Sequence, residues 1–184
     1  YTAGHQRRTT DISLAIAKEI GLPEHATKGL QMAGLIHDMG KISVPGEILS
    51  KPGRLNDAEL QLIKRHPQVA YDILNQIDFP WAVDQIVLQH HERLDGSGYP
   101  QGLSGEEILI EARILCVADV VETMETHRPY RPSLGRDAAL EEITKNRGIL
   151  YDPEVVDACL RLFRETDFRY STDSAGSFSE EISI

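Results

Sequence analysis

The stretch Leu35-Ile36-His37-Asp38-Met39-Gly40-Lys41 sets a histidine and an aspartate side by side at the end of an apolar run. The residues before His37 have helical spacing and Gly40 is a helix stop, so a helix is predicted to end at this pair. Neighbouring side chains on a helix diverge by about 100°, so His37 and Asp38 cannot both face one core. A metal site can use that divergence, with Asp38 reaching a second ion. Taken alone, however, the dipeptide more often marks a helix end with a hydrogen-bonded histidine.

The bulk composition of the 184 residues is that of one soluble globular domain, with 41% hydrophobic and 26% charged residues. No apolar run is long enough to span a bilayer, and no signal peptide is recognisable. The net charge of −10 argues against binding of long nucleic acid, but it does not exclude a small phosphorylated ligand.

Cys116 and Cys159 stand in no metal-binding frame, which favours reduced thiols and a cytoplasmic location. Because the chain opens at Tyr1 rather than Met, we expect a longer protein with an upstream regulatory domain.

The periodicity of the chain predicts an all-α protein of about seven helices, without strand alternation. The predicted helices cover residues 5–20, 22–39, 56–77 with a break at Pro67, 81–91, 105–125, 138–147 and 155–163. Capping boxes are predicted at Asn56–Glu59 and Ser104–Glu107, and residues 42–54 and 93–105 are predicted loops. We assign residues 1–166 to one domain and expect a flexible tail over residues 167–184.

Several polar residues lie on predicted apolar helix faces or at predicted helix ends, and they include five of the seven histidines. The set is His5, His37, Asp38, His66, His90, His91 and Asp119. One such histidine is more often structural, but five with two aspartates would each need a buried partner, which favours a metal site. Mixed imidazole and carboxylate ligands suit Fe, Mn, Co, Ni or Zn rather than Mg or Ca.

Seven ligands are too many for one ion and fit two ions that share a bridging carboxylate. Asp38 is the expected bridge. His5, His37 and Asp119 would complete one ion, and His66, His90 and His91 the other. Two adjacent metals can hold a shared hydroxide and polarise a phosphoryl oxygen, which suits hydrolysis of a phosphate ester.

The motifs together resemble the HD-GYP domains, a branch of the HD superfamily of metal-dependent phosphohydrolases. The resemblance covers nearly everything from Tyr1 to about Phe163 and rests on His37-Asp38 with Gly40-Lys41, Lys64-x-His66-Pro67, His90-His91-Glu92, Asp95-Gly96-x-Gly98-Tyr99-Pro100, Asp119 and Arg128-Pro129-Tyr130-Arg131. It implies a helical bundle with a Gly-rich loop over two, sometimes three, metal ions, commonly iron or manganese. It also implies hydrolysis of cyclic di-GMP to linear pGpG and, in some members, on to GMP.

The resemblance also implies roles for single residues. The metal ligands would be the seven residues already named, with Asp38 and Lys41 at the catalytic centre and Lys41 on the scissile phosphate. Tyr99, Arg128 and Arg131 would hold the ligand, and Glu122, where the family often has Asp, is placed among the ligand contacts. Glu92 would either orient a ligand imidazole or be exposed. Tyr1 stands where three-metal members carry Glu, which favours two metals.

Two alternatives to an enzyme of this kind stay open from the sequence. The first is a signalling module that binds a cyclic dinucleotide or docks GGDEF-type partners through the Gly-Tyr-Pro loop with little turnover. The second is a diiron oxygenase on the same helical scaffold. The Gly-Tyr-Pro and Arg-Pro-x-Arg segments disfavour the oxygenase because they suit a cyclic dinucleotide.

Overall fold

A computed structural model describes residues 2–126, 133–166 and 168–171. These residues form nine α-helices and two 3-10 turns, and they contain no named strand, only isolated bridges. The helices are α1 Thr2–Glu19, α2 Glu24–Ile36, α3 Gly46–Leu49, α4 Asp57–Lys64, α5 His66–Leu74, α6 Val83–Gln89, α7 Ile110–Glu125, α8 Arg136–Lys145 and α9 Pro153–Glu165. The 3-10 turns are Met39–Ser43 and Gly105–Glu107. The predicted all-α class is confirmed.

Helix α7 is the centre of the bundle. It packs against α1, α2, α6, α8 and α9, and its residues Ile114, Leu115, Val117, Ala118 and Val121 are fully buried. Such a helix is apolar on most of its circumference, because other helices surround it. The acidic residues that it carries at positions 119 and 122 are therefore held inside the protein, next to α1 and α2.

The two helices beyond the predicted seven have local causes. Pro67 has no backbone N–H and ends α4, so α5 starts as a separate helix at His66. The predicted loop of residues 42–54 contains the short helix α3. The capping box at the start of α4 is confirmed, since Asn56 Oδ1 accepts from the Glu59 amide at 2.9 Å and the Glu59 carboxylate accepts from the Asn56 amide at 2.8 Å.

Several predicted helix boundaries were wrong, and two of them have clear causes in the backbone. Helix α2 ends at Ile36 rather than Met39, because Asp38 leaves the helical conformation with φ −91° and ψ 3°. The Ser104–Glu107 box closes only a 3-10 turn, and the extended backbone of Ile108, with φ −86° and ψ 127°, delays α7 to Ile110. The first difference matters for function, since Asp38 lies beyond the end of α2, where its Oδ1 is 3.5 Å from His66 Nε2.

Residues 168–171 lie against the helices. Phe168 and Tyr170 pack on the core, the Tyr170 hydroxyl donates to Glu125 at 2.6 Å, and the Ser171 amide donates to Asp11 at 2.9 Å. Residues 167 and 172–184 are outside the described part, so the division at 166/167 stays a prediction. Among the described helices, none combines the length and the apolar character needed to cross a bilayer.

Candidate metal centre

Three histidines of the predicted set are held in the same way. Each donates from ring Nδ1 to the backbone carbonyl three residues earlier, which leaves Nε2 with its lone pair pointing inward. The pairs are His37 to Gly34 at 2.7 Å, His66 to Ile63 at 2.8 Å and His90 to Val87 at 2.6 Å. The shared geometry prepares three imidazoles to bind a cation through Nε2.

The positions of these histidines at helix ends explain the arrangement. Carbonyl groups in the last turn of a helix lack a partner four residues on, so they can accept from a side chain. For Ile63 the residue four positions on is Pro67, which has no N–H to offer. The proline that breaks the predicted helix therefore also frees the carbonyl that orients His66.

His5 is oriented by a carboxylate instead. It lies near the start of α1, and its Nδ1 donates to Glu122 on α7. Its Nε2 lies 3.2 Å from Asp119 Oδ1 and 3.7 Å from Asp38 Oδ2. Glu122 is only 1% exposed and also accepts from Arg8 at 2.8 Å and Thr126 at 2.8 Å. The structure thus places Glu122 behind His5, and its predicted contact with the ligand stays a prediction.

The seven predicted metal ligands come together in one cluster. Their side-chain donor atoms form three groups whose members lie within 4.8 Å of one another: His5 with His37 and Asp119, His66 with His90 and His91, and His37 with Asp38 and His90. The carboxylate of Asp38 reaches both sides, with Oδ1 3.5 Å from His66 Nε2 and Oδ2 3.7 Å from His5 Nε2. This position is compatible with a carboxylate bridge between two ions, which stays a prediction.

Buried nitrogen atoms in the cluster provide a test of whether metal ions fit. Nε2 of His5 and Nε2 of His37 are buried without a hydrogen-bond partner in the described structure. Such atoms are costly in a protein interior unless something satisfies them. A divalent cation accepts their lone pairs, and the mixed imidazole and carboxylate donors suit a transition metal. The residues therefore fit a pair of divalent ions.

Most of the cluster is in the protonation state that binds metal. Burial, followed by neighbouring imidazoles, lowers the pKa of His90 and His91 well below the usual 6.5. Burial alone would raise the pKa of Asp38, but the nearby His37 and Lys41 outweigh it and bring the pKa to about 2. The carboxylates are thus ionised and these imidazoles neutral at pH 7, as coordination requires.

The protonation of His5 differs. Burial lowers its pKa, yet the nearby carboxylates of Asp119 and Glu122 outweigh burial and raise the pKa to about 9 in the metal-free protein. A histidine with this pKa carries a proton at pH 7. An incoming metal ion has to displace that proton before it can bind Nε2.

Predicted ligand contacts surround the cluster. Lys41 Nζ donates to Asp38 Oδ2 at 2.6 Å, which sets a cation at the edge of the centre. The Tyr99 ring stacks on His91 with centroids 4.8 Å apart, and Lys64 Nζ lies 5.2 Å from the Tyr99 centroid. Arg128 and Arg131 fall outside the described residues, so their predicted role stays a prediction.

The Gly-rich loop is held by Glu92, and both roles predicted for this residue were wrong. Glu92 is 2% exposed and accepts from the amides of Gln101 at 2.7 Å and Leu103 at 3.1 Å. A β-carbon at Gly98 would overlap the backbone of Glu92, so the loop returns tightly on itself. Glu92 therefore fixes the loop that presents Tyr99, and it does not bond a ligand imidazole.

Sequence reasoning missed Arg8, which orients Glu122. The available signal was weak: Arg8 lies three residues after His5 and so on the same side of α1. Sequence reasoning also missed Gln89, whose side-chain oxygen accepts from the Leu109 amide at 2.8 Å and ties α6 to the start of α7. Nothing local in the sequence marks that second contact, because its partners are 20 residues apart.

Comparison with known proteins gives consistent matches. A family model described as HD domain matches residues 2–155. The chain is 44% identical, over 87% of its length, to the cyclic di-GMP phosphodiesterase response regulator RpfG of Xanthomonas campestris, and 41% identical, over 89%, to a cyclic di-GMP phosphodiesterase of Thermotoga maritima. It spans 43% and 45% of the length of these two relatives. It is also 37% identical, over 88% of its length and 38% of the relative, to the 3'3'-cGAMP-specific phosphodiesterase 1 of Vibrio cholerae.

Solved structures share the fold. The HDG"Y"P protein Bd1817 from Bdellovibrio bacteriovorus superimposes with a TM-score of 0.69 over 89% of this chain and 52% of its own, at 19% identity. The HD domain of the phosphodiesterase PgpH from L. monocytogenes gives a TM-score of 0.62 over 89% of this chain and 92% of its own, at 16% identity. At such identities the agreement concerns the helical architecture alone.

Proposed function

This chain belongs to the HD domain family, in its HD-GYP branch, and we propose that it is a metal-dependent phosphodiesterase that hydrolyses cyclic di-GMP. One observation carries the proposal: five inward-facing histidines and two aspartates form a cluster that fits two divalent ions, with Lys41 at its edge. The names of the relatives supply the substrate class, and the chemistry of the cluster is compatible with it.

The two ions, iron or manganese in our proposal, would be held by the seven clustered residues with Asp38 between them. When bound, such a pair activates water at neutral pH and neutralises charge on a phosphoryl group. In the reaction, a water oxygen joins phosphorus and the bond from phosphorus to the ribose 3′ oxygen breaks. The 3′ oxygen takes up a proton, which gives linear pGpG, and a second cut of the same kind gives GMP.

The protein's own side chains would position the substrate. Lys41 lies beside Asp38 and offers an ammonium group to a phosphate oxygen next to the centre. Tyr99 is held flat on His91, so its position at the rim is fixed relative to the metal ligands. We further propose that Arg128 and Arg131 bind the phosphates and bases of the ligand, because the planar guanidinium matches phosphate oxygens in pairs.

A second cyclic dinucleotide competes as substrate. The relative from Vibrio cholerae named for 3'3'-cGAMP is 37% identical to this chain. The residues that we place at the metal centre act on the phosphodiester bond, which both dinucleotides contain. Discrimination between them therefore depends on contacts to the bases, and we propose cyclic di-GMP from the two relatives of higher identity.

The test is direct assay of the metal-loaded protein. The protein is loaded anaerobically with Fe(II) or Mn(II), incubated with cyclic di-GMP or with 3'3'-cGAMP, and the products are separated by chromatography. We expect pGpG or GMP, lost on chelation, and slower cleavage of 3'3'-cGAMP. Absence of product with two metals confirmed per chain would contradict the enzyme and favour the signalling module.

Cellular context adds two further proposals. We propose that the domain works in the cytoplasm, which its buried free thiols Cys116 and Cys159 support. An upstream regulatory domain and a GGDEF-type partner remain predictions, and co-purification of the full-length protein with a GGDEF protein is the measurement that tests the partner.

A further inference from the structure

The histidines of the centre are supported by acceptors of different charge. His37, His66 and His90 donate Nδ1 to neutral backbone carbonyls, whereas His5 donates Nδ1 to the carboxylate of Glu122. An anionic acceptor makes the imidazole a stronger base at its other nitrogen, and such partners commonly tune metal ligands. His5 is therefore expected to be a stronger metal ligand than its three neighbours.

The position of His5 in its helix explains why a carboxylate is used. His5 is the fourth residue of α1, so the carbonyls on both sides of it lie within the helix. Those carbonyls already accept from the amides four residues on, so they are less open to an imidazole than the carbonyls at a helix end. The three other histidines stand at helix ends, where carbonyls are free. The acceptor for His5 comes from another element, since Glu122 lies on α7.

Glu122 is itself fixed in place. Its Oε1 accepts from Arg8 Nε at 2.8 Å and from Thr126 Oγ1 at 2.8 Å, and Arg8 Nη2 lies 2.6 Å from the same oxygen. Its other oxygen is left for His5. The charge of Arg8 stabilises a carboxylate that is almost fully buried. Arg8, Glu122 and His5 thus form one connected chain that ends at the metal centre.

The two groups of ligands also differ in their own charge. One metal position is formed by His5, His37 and the carboxylate of Asp119. The other metal position is formed by the three neutral imidazoles of His66, His90 and His91. We infer that Glu122, held by Arg8, positions His5 so that the His5–His37–Asp119 position binds its metal ion first and more tightly than the His66–His90–His91 position, with the proton of His5 displaced in that step. This inference rests on the proposed function only in assuming that two ions bind.

Titration of the metal-free chain with Mn(II) tests the inference. Calorimetry gives the affinities, and electron paramagnetic resonance counts the free ion. We expect two steps of unequal affinity in the wild type. Glu122→Gln keeps the size of the side chain and removes its charge, so it should weaken the tighter step by roughly 10- to 100-fold and leave the weaker step unchanged. Arg8→Met should weaken the same step by a smaller factor.

Two further variants complete the design. His66→Ala should abolish the weaker step alone, which assigns each step to its ligands. Glu19→Gln is the matched control: Glu19 is also on α1 and is bonded to an arginine, Arg161, but both side chains are exposed and far along the helix from His5. It should change neither step. Thermal melting with EDTA checks that each variant folds, and Arg8→Met carries the test if Glu122→Gln does not fold.

Equal weakening of both steps by Glu122→Gln, no effect on either, or loss of the tighter step in His66→Ala would each overturn the inference. These results differ from failure of the proposed function. A wild type that binds two ions in unequal steps and cleaves no cyclic dinucleotide contradicts the enzyme and leaves the order of binding intact.

Discussion

Gly40 packs directly against the backbone of His66, and a β-carbon at Gly40 would overlap the carbonyl oxygen of His66. The contact joins the turn Met39–Ser43 to the start of α5. It brings Asp38, two residues before the glycine, within 3.5 Å of the His66 ring. Gly40 is therefore required by this close approach and not by the end of α2, which lies at Ile36.

Gly40→Ala should displace His66 and damage the second metal position. We expect metal content to fall from two ions towards one and phosphodiesterase activity to fall by about 100-fold, since a shift of about 1 Å in a site has that effect. Elemental analysis and the cyclic di-GMP assay measure both. Gly46→Ala is the matched control, because Gly46 is exposed with no atom near its would-be β-carbon. Full activity in Gly40→Ala would contradict the packing argument.

Asp38→Ala should remove bound metal and activity together. Asp38 reaches ligands on both sides of the cluster, so its loss removes the shared carboxylate and leaves Lys41 without its anionic partner. Metal content per chain and pGpG formation are the two measurements. Asp78→Ala, at an exposed position, should change neither. Retention of two ions by Asp38→Ala would exclude the bridging position.

Lys41→Met should separate metal binding from turnover. The substitution removes the ammonium group beside Asp38 but no metal ligand, so we expect two bound ions and a kcat lower by about 100-fold or more. Lys18→Met, on the exposed side of α1, is the control. Unchanged kcat in Lys41→Met would argue that Lys41 only neutralises Asp38.

Glu92→Gln should loosen the Gly-rich loop. The Gln101 and Leu103 amides donate to different oxygens of Glu92, and in Gln one of these oxygens is replaced by an NH2 group that donates, so one buried amide loses its acceptor. We expect a loss of about 1–3 kcal/mol in unfolding free energy, a raised KM for cyclic di-GMP and unchanged metal content. Urea unfolding and steady-state kinetics measure these quantities, with exposed Glu106→Gln as the control. A variant with wild-type KM would show that loop position does not affect substrate binding.

The metal-free protein should lose stability as pH rises above neutrality. The pKa of His5 is about 9 in the folded protein, against 6.5 for a histidine without these partners, as in the unfolded chain. Folding therefore favours the protonated form. The resulting stabilisation, on the order of 3 kcal/mol, is fully present below pH 6.5 and is lost as pH rises through about 9. Melting temperatures in EDTA between pH 6.5 and 9.5 measure it. His5→Gln should show a flatter profile, and an equal slope in both proteins would contradict the assignment.

Much of the fold and most of the cluster followed from local patterns. The cap by Asn56 and the break at Pro67 depend on atoms within a few residues, so they are readable along the chain. The seven clustered residues were recognisable because polar groups on apolar faces need partners. The extra short helix and the late start of α7 were missed, since single-turn elements carry too few residues for a periodic signal.

By itself, the sequence determined which helices form and which side chains face inward, because helix caps, stops and periodicity act over three or four residues. Only the tertiary structure decided what the buried carboxylates do. Glu122 became the partner of His5, 117 residues away, and Glu92 accepts from the two amides that hold the Gly-rich loop. The physical reason is that a buried carboxylate bonds whatever donors the packed helices bring to it, and the packing of α1 against α7 sets those donors.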